Sequence, residues 1–303
     1  MISAHSTLAP ELSEKESRLA DWLRSRGSVL VGFSGGVDST YLACVAVDVM
    51  GSENVLAVIG RSASFPESQW QTARDVAARF GVPVLEVDTA ELDDPRYAAN
   101  PANRCYFCKS ELWSRLAPVA RERGIACVID GTNADDLTDY RPGGRAGVEW
   151  GVLSPLAELG FTKADIRALS RARGIPTWEQ PSAPCLSSRI PYGTAVTPAR
   201  LRRIERAETA LRSLGVSGDL RVRFHGDLAR VELSPSDISR WLAPDATVVI
   251  REAVRTAGFS RVAIDLRGFR SGSLNVLGGV VADDTSREET PNAPGGDAEA
   301  SAA

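Results

Sequence analysis

Histidine is almost absent from this 303-residue chain, which has only His5 and His225; a histidine-built metal centre is thereby excluded. Long apolar runs are missing too: none approaches the roughly 20 residues that a membrane-spanning helix needs. There is no excess of positive charge, since 35 Lys and Arg stand against 39 Asp and Glu for a net charge of -4. Such a chain has no general attraction for phosphate polymers, so nucleic acid is not the expected partner beyond a local basic patch. Residues 1–15 are polar and acidic and lack the basic-then-apolar order of a signal peptide, so the cytoplasm is the expected compartment. In that reducing setting, five cysteines, an odd number, point away from a disulfide framework and towards metal or catalytic roles.

What is present is alternation. Short apolar runs at 29–33, 56–59, 84–87 and 127–129 read as strands, and between them lie amphipathic stretches such as 68–80, with Trp70, Ala73, Val76, Ala77 and Phe80 at helical spacing. Repeated β-α-β units imply an α/β fold with a doubly wound parallel sheet, whose ligands bind beyond the carboxyl ends of the strands. A Pro- and Ser-rich connection follows. Thr197-Pro198 then starts a helix that Gly215 ends, and a hairpin is expected over 220–225 and 228–233. Helices near 236–241 and 251–257 and a strand at 261–266 complete a smaller C-terminal α+β domain. The expected organisation is an N-terminal extension (1–18), a nucleotide domain (19–180), a connecting loop carrying Cys185 (181–196), a small substrate-binding domain (197–280) and a disordered tail (281–303).

Ser34-Gly35-Gly36-Val37-Asp38-Ser39-Thr40 directly follows the first strand and opens a helix over 41–50. Glycines let consecutive N–H groups point at an anion, and the helix N-terminus adds its partial positive charge. Asp38 would repel phosphate alone, so its presence suggests a shared Mg²⁺. The Gly-Lys-Ser/Thr ending of a Walker A loop is missing. The unit instead resembles the PP-loop ATP pyrophosphatases, which cleave ATP between the α and β phosphates. Downstream, Asp130-Gly131-Thr132-Asn133-Ala134-Asp135-Asp136 follows the fourth strand. It is expected to face the loop, either holding Mg²⁺ and nucleotide or forming a capping turn. Gly131, Thr132, Asn133 and Asp136, with Ser62 after the second strand, complete the nucleotide-binding candidates. Thr162 and Asp165 make a capping box that puts Lys163 in a helix's first turn. A cation there opposes the helix dipole and is better explained by a phosphate; it resembles the catalytic lysine of the class.

Cys105-Tyr106-Phe107-Cys108, flanked by Asn103-Arg104 and Lys109, could place two thiolates near one metal, and nearby cations favour the reactive thiolate. Cys185 sits far downstream in the connecting loop. Three cysteines without a fourth ligand match an iron–sulfur cluster with one open iron. A redox or persulfide-carrying pair with Cys185 separate, and a zinc site or inert thiols, are the alternatives. Cys44 and Cys127 read as core residues.

The combination of the SGGVDST loop with NRCYFCKSELW, GTNADD and APCLSSRIPYG resembles the LarE family of ATP-dependent sulfur transferases in nickel-pincer nucleotide biosynthesis, over residues 19–276. The resemblance implies adenylation of a carboxylate of pyridinium-3,5-biscarboxylic acid mononucleotide and its conversion to thiocarboxylate, towards lactate racemase maturation. In one branch of the family the cysteine matching Cys185 sacrifices its own sulfur. In the other, three cysteines hold a [4Fe-4S] cluster whose open iron carries sulfide, and Cys105, Cys108 and Cys185 place this chain there. The resemblance further implies a sulfur donor system and a homo-oligomer. Arg221 and Arg223 match the family's substrate-phosphate arginines; they alternate with Val222 and Phe224 and so share one strand face, the other reading being a solvated face. Arg189 is a further anion-binding candidate, with Glu205 or Glu208 assisting. The rival readings are a tRNA thiolase, which would carry a basic RNA surface; an NAD- or GMP-synthetase-like amide former, which needs no cysteine trio; and a nucleotide sensor without turnover.

Overall fold

A computed structural model describes residues 9–138, 142–181 and 184–270. In chain order it contains α1 (Pro10–Arg24), β1 (Val29–Gly32), α2 (Val37–Met50), β2 (Val55–Arg61), α3 (Glu67–Arg79), β3 (Val84–Asp88), α4 (Pro95–Ala98), α5 (Arg104–Glu122), β4 (Cys127–Ile129), α6 (Pro142–Glu149), α7 (Pro155–Glu158) and α8 (Lys163–Ala172). After the connection come α9 (Pro198–Ser213), β5 (Leu220–His225), β6 (Leu228–Leu233), α10 (Pro235–Trp241), α11 (Pro244–Thr256) and β7 (Arg261–Ile264).

The first four strands form a parallel sheet in the order β3-β2-β1-β4. Side-chain alternation along β1 divides its surroundings. Val29 and Val31 face a core shared with α1, α2, α3 and α8, while Leu30 faces Trp113, Leu116 and Ala120 of α5. Helix α2 is apolar nearly all round, with every residue from Tyr41 to Ala46 buried, because it is enclosed between the sheet and other helices. The chain leaves β1 towards β2 on one side and later returns to β4 on the other. This reversal opens a crevice at the carboxyl ends of β1 and β4.

The second sheet has the order β5-β6-β7, antiparallel between β5 and β6 and parallel between β6 and β7. Its core takes in Tyr97 of α4 and Leu186, Ile190 and Val196 of the connection. The two cores therefore meet where Cys185 lies.

Several element bounds differ from expectation. Helix α1 runs through the boundary expected at residue 18, because Pro10 starts a helix whose Leu19 and Leu23 are buried in the first core. Helix α2 begins at Val37 rather than at residue 41, so Asp38, Ser39 and Thr40 are first-turn residues. Helix α11 starts at Pro244, ahead of the expected 251, again with proline at its first position. Residues 271–303, including the expected tail, lie outside the described residues, as do 1–8, Ser182 and Ala183.

Candidate active site at the end of β1

The N-cap residue of helix α2 is Gly36, which has no side chain to cap it, so the first N–H groups of the helix remain available to a ligand. Gly35 turns the loop with φ +66°, and a Cβ there would lie 2.5 Å from the Ala73 Cβ, so only glycine fits. Ser34 and Ser39 brace the loop: their hydroxyls lie 3.1 Å apart, and the Ser34 N–H donates to Ser39 Oγ at 3.2 Å. From α3, the Gln69 amide donates to the Ser34 carbonyl at 3.0 Å.

The segment after β4 closes against this turn. A Cβ on Gly131 would sit 2.8 Å from the Ser39 nitrogen, so the two backbones touch. Asn133 is buried, its side-chain Oδ1 accepting from the N–H groups of Asp135 and Asp136, while Asp136 Oδ2 accepts from the Asn133 N–H. Thr132 donates to Asp130 at 2.9 Å. The segment is thus a self-capped turn that also forms one wall of the crevice.

Lys163 reaches across to Asp38, Nζ to Oδ2 at 2.5 Å. The capping box beneath it is formed, and its own N–H donates to Asp135 Oδ2 at 2.8 Å. Lys163 thus neutralises the carboxylate that would otherwise oppose a phosphate. The other oxygen, Asp38 Oδ1, is buried with no hydrogen-bond partner among the described residues, as is Thr40 Oγ1. An orphaned carboxylate oxygen beside a phosphate-type loop fits a divalent cation of the Mg²⁺ kind. Ser62 is placed elsewhere, donating to Glu91 Oε1 at 2.5 Å. It belongs to a hydroxyl shell around that buried carboxylate and not to the loop.

The connection is fastened to the nucleotide domain at several points. The Leu186 N–H donates to the Ser64 carbonyl at 2.8 Å, and Tyr97 and Ser187 share a 2.6 Å hydrogen bond. Asn100, fully buried at φ 57°, donates its amide to the carbonyls of Ile190, Pro191 and Thr194. These ties bring Cys185 to Cys105 and Cys108. Burial pushes the Cys108 thiol well up, and Glu91, Cys185 and Cys105 add to that. Buried Arg104, whose charge burial opposes, is nevertheless held above its ordinary value by Cys185 and then Cys105. Among the described residues no three His, Cys, Asp or Glu side chains stand as ligands of a metal ion. The thiols of Cys105, Cys108 and Cys185 are of the donor type that iron–sulfur groups take, without standing at ligand distance as a set. Cys44 is buried in α2 and its thiol is raised to about 12 by that burial; Cys127 sits in β4. Neither takes part in the site.

Arg189 and Arg223 bond to the connection, and Arg221 lies close enough to feel the charge of Arg189. Arg221 and Arg223 are 3% and 5% exposed, which rules out a solvated strand face. Arg223 pairs with Glu232 at 2.8 Å and donates to the Ser188 carbonyl at 2.9 Å. Arg221 lies over the Phe269 ring, and burial, followed by Arg189, lowers it to about 10. Arg189, expected among the anion-binding residues, is paired within the protein as Arg223 is. Its guanidinium grips Glu208 through Nε and Nη2, both at 2.9 Å, and donates to the carbonyls of Pro184 and Cys185, so it clamps the loop. Glu208 is its partner, whereas Glu205 accepts from the Glu67 N–H on the nucleotide domain.

Sequence reasoning missed Tyr97, Asn100, Glu91 and Glu232. The first two carry no motif; Glu232 could have been found as the cross-strand neighbour of Arg221 in the expected hairpin.

The strand–loop–helix unit, the facing Gly131 segment and Lys163 define a PP-loop enzyme that uses ATP, and residues 12–117 match the NAD synthase family. Over 264 residues the chain is 38% identical to pyridinium-3,5-bisthiocarboxylic acid mononucleotide synthase of Lactiplantibacillus plantarum, covering 87% of this chain and 95% of that protein. The chain belongs to the family of that synthase, the LarE family. An uncharacterized Synechocystis protein is 43% identical over 87% of this chain and 98% of its own length. An uncharacterized protein of Methanocaldococcus jannaschii is 28% identical over 80% and 91% of the two chains. No helix among the described residues is long and apolar enough to cross a membrane.

Proposed function

We propose that this chain adenylates a carboxylate of pyridinium-3,5-biscarboxylic acid mononucleotide with ATP and converts the acyl adenylate to a thiocarboxylate, for nickel-pincer nucleotide biosynthesis and lactate racemase maturation. The observation that carries the reading is the connection itself, fastened to the nucleotide domain at Ser64, Tyr97 and Asn100, which puts Cys185 in the electrostatic neighbourhood of Cys105 and Cys108 of α5. The name of the Lactiplantibacillus plantarum relative supports the substrate.

In the first step a substrate carboxylate oxygen bonds to the α-phosphorus and the bond to the bridging oxygen breaks, releasing pyrophosphate. The first-turn N–H groups of α2, the hydroxyls of Ser34, Ser39 and Thr40, and Lys163 take up the charge that develops on the leaving group. Asp38, through Oδ1, would hold Mg²⁺, with Gly131, Thr132, Asn133 and Asp136 lining the nucleotide's other side. In the second step a sulfur nucleophile bonds to the acyl carbon, and AMP departs with the electrons of the carbon–oxygen bond. Cys105, Cys108 and Cys185 would hold a [4Fe-4S] cluster, which supplies an open iron for sulfide delivered by a sulfur donor. Arg221 and Arg223 bind the substrate phosphate, with the small domain over 197–280 as the substrate side and 19–180 as the nucleotide side. A cytoplasmic homo-oligomer completes the reading.

ATP labelled in its α-phosphate tests the first step: label appears in AMP only when the acid is present. Hydrolysis at the γ position alone overturns the reading. Anaerobically reconstituted protein is expected to be brown, and a colourless product overturns the cluster. Mass spectrometry of the chain after turnover leaves Cys185 intact; loss of hydrogen sulfide from it means sacrifice instead.

A further inference from the structure

No carboxylate of the described residues pairs with Arg104. Arg104 is 4% exposed, at the start of α5 and next to Cys105. Its Nη1 donates at 2.6 Å to Asn100 Oδ1, an amide without charge. Its Nε is buried with no hydrogen-bond partner among the described residues. Its guanidinium carbon lies 5.4 Å from the centroid of the Tyr192 ring. Among the described residues no carboxylate stands within ion-pair distance of it, whereas the equally buried Arg189 and Arg223 have Glu208 and Glu232. Guanidinium does not deprotonate in proteins, and a buried unpaired ion is strongly unfavourable. A cation kept in that state, with a free N–H and a fixed plane, is a receptor awaiting an anion.

We propose that Arg104 is the receptor for a small monoanion at the cysteine site, either hydrosulfide on its way to the cysteines or a carboxylate of the bound substrate. Asn100 fixes its plane: the same amide that accepts from Arg104 locks the connection through Ile190, Pro191 and Thr194. The anion therefore lies where Cys105, on the next residue, and the Cys185 loop meet. The inference rests on the sulfur-transfer reading only for the anion's identity; the receptor can fail while adenylation stands, and the reverse.

The test is thermal unfolding of anaerobic, cluster-free protein at constant ionic strength, titrated separately with sodium hydrosulfide, sodium nicotinate and neutral nicotinamide. Wild-type protein is expected to show a saturable rise in Tm with at least one of the two anions and none with nicotinamide. A response to hydrosulfide identifies the sulfur source, and a response to nicotinate identifies the substrate carboxylate. Arg104→Met is expected to melt no lower than wild type without anion and to bind the active anion about tenfold or more weakly. Arg104→Lys, which keeps the charge, retains part of the response. If the wild type responds to neither anion, the proposal is overturned. It is likewise overturned if Arg104→Met and wild type respond equally, because the arginine then only holds Asn100. Should Arg104→Met not fold, the wild-type series and Arg104→Lys still decide.

Discussion

The crevice at the end of β1 and the arginine layer beside β5 both gather positive potential, and they are built in opposite ways. The crevice uses backbone: Gly36 leaves the first N–H groups of α2 without a side-chain cap, and Asp38 Oδ1 and Thr40 Oγ1 have no partner among the described residues. The arginine layer uses side chains, and protein carboxylates already occupy it, Glu208 on Arg189 and Glu232 on Arg223. Backbone amides are fixed by the chain path and remain preorganised when no ligand is bound. Guanidiniums buried together repel one another, so the fold supplies carboxylates to hold them. One site waits open, while a ligand entering the other must share or displace existing partners.

The sharpest separation of the two regions removes the sulfur step and leaves the nucleotide step. Cys185→Ser is expected to reduce thiocarboxylate formation below detection while acid-dependent AMP release persists; loss of both would merge what the comparison divides. Next in size is Glu232→Gln. It leaves Arg223, and with it Arg230, short of a buried carboxylate, and breaking a buried pair of this kind costs about 3–5 kcal/mol. Urea unfolding measures it, and a loss below about 1 kcal/mol would mean the layer is not held by its carboxylates. Lys163→Ala is expected to slow AMP formation by about 100- to 1000-fold, the range for removing one preorganised charge from a transition state. Melting should hardly change, because Lys163 is partly exposed. Equal losses of turnover and stability would make Lys163 structural. The smallest effect is Thr162→Ala, which removes the cap of α8 and costs about 1 kcal/mol.

Asp165 adds a pH signature to that last variant. Burial opposes its charge, but Lys15 and the Thr162 N–H outweigh burial and hold the carboxyl below its ordinary value. A depressed folded value means the contribution is present above the carboxylate's unfolded pKa and disappears as pH falls through the folded one. The stability difference between wild type and Asp165→Asn should therefore shrink in acid, as followed by melting across the acidic range.

Much of the nucleotide region was legible because its instructions are local. The strand runs, the glycine turn and the Thr162–Asp165 box each lie within a few residues of chain, and the structure has them all. The region around the connection and the second sheet was less legible. Arg189 carries the same charge as Arg221 and Arg223, and nothing within its own stretch signals that Glu208, 19 residues on, takes its guanidinium. The partner of Ser62 was hidden for a similar reason: Glu91, which accepts from it, is 29 residues away, beyond the end of another strand.

Sequence alone determined the parallel sheet, the phosphate-type turn after β1 and the family, since periodicity, glycine placement and motif order survive any later packing. Tertiary structure decided which charges are available. Burial and long-range pairing are properties of the folded neighbourhood, so only there do Arg189 and Arg223 appear matched with carboxylates, Asp38 with Lys163, and Arg104 with a buried Nε that has no hydrogen-bond partner among the described residues.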